Sequence, residues 1–179
     1  MPKANIKKNK KLALASIFAA LGVVIMYLGA IIEVLDISMA TIASMLCVVM
    51  IIEMGGAYPW LVFAVTAVLS FLVLPQKFAA LIYILIAGYY PMLKCIYERQ
   101  KSRILESLLK MLTFNAAMTL TVVLALFVLS LPGMTKEYII ALFALGNFTF
   151  IVYDIALTML IRLYFLKYRK LLKIDKIFR

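Results

Sequence analysis

The chain has 179 residues, 66% of them hydrophobic, with a mean hydropathy of +1.08 and a formal net charge of +11. Soluble domains run nearer half apolar, so composition sets this chain among polytopic membrane proteins and leaves no room for a sizeable soluble domain. Nineteen Lys and Arg against eight Asp and Glu would suggest nucleic acid in a soluble protein, but here the charge sits in two tails and one loop. Topology and anionic lipid headgroups account for that distribution better, so no nucleic-acid partner is expected.

The first element sets the frame. Residues 12–32 carry no charge, follow a basic tail (1–11) holding Lys3, Lys7, Lys8, Lys10 and Lys11, and are closed by Glu33 and Asp36. At about 1.5 Å per residue the segment matches a hydrocarbon core of roughly 30 Å. Five lysines hold the N-terminus in the cytoplasm. Ala15, Ala19 and Gly22 share one face of this helix. Small residues at such spacing let a second helix approach closely, either a separate partner or a neighbour in the same bundle.

The second span, 37–52, is short and ends at Glu53-Met54-Gly55-Gly56, read as a tight inner turn or a cytoplasmic contact site. Pro59 then falls near the first turn of the third span, 57–74, with Tyr58 and Trp60 at interface depth. Pro75-Gln76-Lys77 turns outside into the fourth, 78–93, which Pro91 kinks or ends. The one long polar connection, 94–110, holds Lys94, Arg99, Lys101, Arg103 and Lys110, with an amphipathic turn around Ile104 and Leu108. The fifth span, 111–131, closes at Pro132-Gly133, the sixth covers 138–160, and a basic tail fills 162–179.

Seventeen of the nineteen basic residues then lie inside, only Lys77 and Lys136 outside. The expectation is a single all-α integral domain in the cell membrane, with six spans and both termini cytoplasmic. No phosphate loop, nucleophile elbow or metal-ligand pair is found, histidine is absent, and Cys47 and Cys95 are too few for a disulfide framework. No catalytic residue, metal or cofactor is therefore expected.

Three groups could carry function. Asp154 is the one acid deep in an apolar span, and Asn115 is placed at similar depth on the fifth helix; the two read either as an intramembrane polar pair or, for Asp154, as part of a proton relay. Asn147 and Thr158 share a face with Asp154, and Thr119 shares one with Asn115. Asn147, Thr119 and Thr158 could line a pocket for a small polar ligand. Equally, they could bond to each other or back to their own backbone.

The size, the six spans and the run from Lys11 to Leu21 (KLALASIFAAL) resemble the substrate-binding S component of energy-coupling factor (ECF) vitamin transporters. The segment 35–56, a polar turn followed by a short helix and a Gly turn, is similar to that family's second helix. The resemblance implies a non-enzymatic subunit that captures a scarce small-molecule nutrient at the outer face. It also implies that Ala15 and Ala19 dock a transmembrane coupling subunit that works with ATPase subunits, on the strip that Gly22 continues. No ligand residue is carried over. From other classes, a six-span envelope-assembly scaffold and a proton-coupled carrier using Asp154 remain as alternatives.

Overall fold

A computed structural model describes residues 3–32, 35–128 and 135–168. The described chain is helical: α1 (Lys3–Ile31), α2 (Asp36–Glu53), α3 (Tyr58–Val73), α4 (Lys77–Ile82), α5 (Tyr90–Tyr97), α6 (Arg103–Val128) and α7 (Lys136–Leu163). No strand occurs among the described residues. Five stretches are long and apolar enough to cross a membrane, and α3 is a shorter apolar helix of 16 residues. The expected outer turn at Glu33, the Pro132-Gly133 close of the fifth span and the end of the basic tail lie outside the described residues.

The first three helices pack tightly because small residues face one another. Ala15, Ala19, Gly22, Met26 and Ala30 form one buried face of α1, while Ile17, Leu21, Val24, Leu28 and Ile31 on the other side stay exposed. The close approach can be gauged at two glycines. A Cβ at Gly22 would lie 3.0 Å from Thr66 Cγ2 on α3, and one at Gly29 would lie 2.6 Å from Met39 Cβ on α2. Thr66 also donates to the Ala19 carbonyl at 3.3 Å. Close backbone approach of this kind supplies van der Waals contact where lipid removes the hydrophobic drive.

The turns follow their residues. Gly55 and Gly56 have φ of +60° and +59°, left-handed values that glycine adopts without a Cβ clash, so the pair forms the tight turn expected of it. Pro59 sits in the first turn of α3, where its missing N–H costs nothing. At the far end of α3 the Lys77 ammonium donates to the carbonyls of Phe71 at 2.7 Å, Leu74 at 2.8 Å and Leu72 at 3.4 Å. A cation on the last carbonyls of a helix satisfies orphan acceptors and the negative end of its dipole.

The fourth stretch departs from a plain helix. It runs Lys77–Tyr97 and contains a π-helical turn, Tyr83–Ala87, closed by Gly88 N–H donating to Tyr83 O at 2.7 Å. Pro91 does not end it; Pro91 opens α5, and the helix continues past the expected limit of 93 to Tyr97. Proline cannot donate to the carbonyl four residues back, which is that of Ala87. That acceptor is met instead by the Tyr153 hydroxyl of α7 at 3.1 Å, which also lies 2.7 Å from Ser44 Oγ on α2. The expected polar connection shrinks to match. Residues 103–110 are the first turns of α6, so only about five residues join α5 to α6.

Candidate functional site

Shortening that connection brings its charges into the bundle. Lys94 lies one turn after Pro91 on α5 and Lys110 two turns into α6, and both are buried, at 1% and 7% exposure. Both reach Asp154 on α7. The Lys94 ammonium donates to Asp154 Oδ1 in a very short ion pair and to its backbone carbonyl at 3.2 Å; Lys110 donates to Oδ2 at 3.2 Å. The Tyr90 hydroxyl donates to Oδ1 at 2.6 Å. Each lysine also has an acid one turn away on its own side of the connection. Lys94 pairs with Glu98 at 3.0 Å, and Lys110 pairs with Glu106 at 2.6 Å and Glu98 at 3.4 Å.

The result is a network of two ammoniums, three carboxylates and a phenol that joins α5, α6 and α7 at the end carrying the N-terminal lysines. An aromatic layer seals its other side. Tyr90 meets Phe150 edge-on at 4.9 Å between ring centroids, and Phe150 stacks on Phe114 at 4.4 Å. Buried Tyr153 and Leu157 complete that layer. Low-dielectric surroundings on one side and fully paired charge on the other make the network strong only while it is complete.

The sequence-expected residues distribute differently. Asp154 and Asn115 do not bond to each other. Asn115 instead exchanges two amide hydrogen bonds with Asn147, at 2.9 and 3.1 Å. The antiparallel register of α6 and α7 explains these partners. With Asn115 opposite Asn147, the residue facing Asp154 is Lys110, more than a turn nearer the basic end. The proposed ligand-pocket group also fails to converge. Thr119 and Thr158 donate back to the carbonyls of Asn115 and Asp154, at 2.8 and 2.9 Å, and the Asn147 amide is spent on Asn115 and on the Phe143 carbonyl. The small-residue strip faces the chain's own helices. Ala15 and Ala19, at 0% and 1% exposure, are buried together with Cys47, Met50, Val62 and Met92, so α2 and α3 of the same chain occupy the face assigned to a coupling subunit. Glu53 accepts a hydrogen bond from Tyr164 at 3.0 Å, tying the end of α2 to the end of α7.

Lys94, Lys110, Glu98 and Glu106 escape a reading by hydropathy because they fall where the apolar runs stop. One signal marks them: the i, i+4 spacing of Lys94 with Glu98 and of Glu106 with Lys110 suits a helical turn at each end of the charged segment. No cluster of three or more His, Cys, Asp or Glu that could hold a metal is present among the described residues. Compared with protein-family models, with curated proteins and with solved structures, the chain gives no match. The described residues form an all-helical protein with five stretches long and apolar enough to cross a membrane and an ion network at one end.

Proposed function

We propose that this chain is a multi-pass membrane subunit of small-solute uptake, with six spans and both termini in the cytoplasm, in which the ion network around Asp154 closes the cytoplasmic end. The observation that carries the reading is the network itself. Ionisable groups within spans are costly, and where they persist they mark substrate or ion pathways. Its arrangement suits a gate, since three separate helices meet at one carboxylate and breaking the Asp154 contacts frees all three. The deformable stretch lies next to it: π turns occur frequently at functional sites, and Tyr90 and Lys94 follow this one, on either side of Pro91.

Two modes of driving fit this gate. The first is a substrate-binding subunit like the ECF S components, working with a coupling subunit and ATPases; size and the number of apolar helices favour it, with docking on a face other than the Ala15–Ala19–Gly22 strip. The second is a proton-coupled carrier, favoured by the paired Asp154. Gentle purification of the full chain and mass spectrometry of the small molecules retained is the deciding experiment, followed by uptake of that molecule into vesicles. Asp154→Asn should bind it and fail to transport it. Uptake by the chain alone under a pH gradient selects the carrier, and dependence on co-purified ATPases selects the ECF-like subunit. Co-purified envelope proteins without any small molecule would sink the uptake reading and leave an assembly scaffold.

A further inference from the structure

A cavity of about 320 Å³ opens at the end where the ion network sits, between the last turns of α2 and α5 and the end of α7. Its wall is apolar, built chiefly by Ile51, Ile52, Pro91, Ile161 and Phe165. Its charged lining is Lys94, Glu98 and Arg99. Lys94 and Glu98 neutralise one another at 3.0 Å, and both are bound further into the network. Arg99 is different. It is exposed, and no ion pair to its guanidinium occurs among the described residues, so it is the unmatched positive charge at the mouth. Its backbone is held in place by turn bonds, with Arg99 N–H donating to Ile96 O at 3.3 Å and Gln100 N–H to Tyr97 O at 3.0 Å.

We propose that this cavity is a seat for one anionic phospholipid, its phosphate on Arg99 and the start of an acyl chain along Ile51, Ile52, Ile161 and Phe165. An apolar slot with a charged mouth, at the ends of spans, lies where acyl chains give way to headgroups. Basic pockets between helices bind anionic headgroups there. A planar guanidinium donates two parallel hydrogen bonds to a phosphate, which an ammonium cannot match. The seat touches the network through Lys94 and Glu98, so an occupied cavity braces α2 against α5 and α7. The inference needs only that the chain sits in a membrane and stands apart from the uptake reading.

The test uses the purified full chain in detergent mixed with phosphatidylglycerol or with phosphatidylcholine of the same acyl chains. Bound lipid is read by native mass spectrometry and stability by thermal unfolding. Wild type should prefer phosphatidylglycerol and unfold at a higher temperature with it. Arg99→Gln should cut that preference about fivefold, the factor one basic residue contributes at an anionic surface. Lys101→Gln, which alters a neighbouring exposed lysine outside the cavity lining, should leave the preference unchanged. Three results would overturn the proposal: equal response to the two lipids, an equal loss in Lys101→Gln and Arg99→Gln, or the same stabilisation from inorganic phosphate without lipid.

Discussion

Removing the Asp154 carboxylate alone and together with its lysine separates a working network from incidental charge. In Asp154→Leu the Lys94 ammonium, 1% exposed, loses its most buried charged partner and keeps Glu98 at 3.0 Å, an acid at the solvent edge, and the backbone carbonyl of residue 154 at 3.2 Å. Breaking one partner out of a buried ion pair costs about 3–5 kcal/mol, because the remaining charge stays desolvated. Glu98 softens this, so a loss of about 3 kcal/mol is expected. Lys94→Met leaves Asp154 with Lys110 at 3.2 Å and the Tyr90 hydroxyl at 2.6 Å, and should lose less, about 2 kcal/mol. The double variant removes this ion pair, leaves Lys110 with Glu106 at 2.6 Å and Glu98 at 3.4 Å, and should lose at most about 1 kcal/mol, since a buried pair replaced by apolar residues is often neutral. Unfolding of all four proteins in one detergent, read as a double-mutant cycle, gives the coupling directly. Losses that simply add would refute the pairing of Lys94 with Asp154.

Further expectations concern the packing and the topology. Ala19→Leu should destabilise the isolated chain by about 1–3 kcal/mol, as overpacking does, while Ala20→Leu on the exposed side should be near neutral; equal melting points would place the strip outside the bundle. Asn147→Leu should cost about 0.6–2 kcal/mol and Asn115→Leu the same, with the double variant no worse than either one, measured by the same unfolding assay. In a background lacking Cys47 and Cys95, Lys136→Cys should react with an impermeant thiol reagent from outside and Lys101→Cys should not; the reverse pattern would invert the topology.

Much of the helical layout was legible because a charge-free run between charges has few ways to fold in lipid. Residues 12–32 and the Gly55–Gly56 turn follow from that and from glycine's access to positive φ. The end of the fourth stretch is not legible, because Pro91 reads as a kink or an end alike, and a tyrosine 62 positions later supplies the hydrogen bond that proline cannot. The small-residue strip was visible, but its occupant was not: an Ala face specifies that something comes close, and only the burial of Ala15 and Ala19 shows that the neighbours belong to the same chain. The two lysines that meet Asp154 escape the sequence for a related reason. Hydropathy ends a span at its first lysine, while a lysine stem reaches back along the helix and places its charge within the bundle.

The π turn at Tyr83–Ala87 also fixes the angular setting of everything beyond it. One additional residue in a helix turns all that follows by about 100° about the axis. The side of α5 that carries Tyr90 and Lys94 towards Asp154 is therefore chosen seven and eleven residues upstream of those side chains, at Tyr83. Shortening 83–87 by one residue would restore an even α-helical pitch and leave the apolar length of this stretch almost unchanged, yet swing its tyrosine and lysine a quarter turn off their carboxylate. In this stretch the count of residues matters as much as their identity.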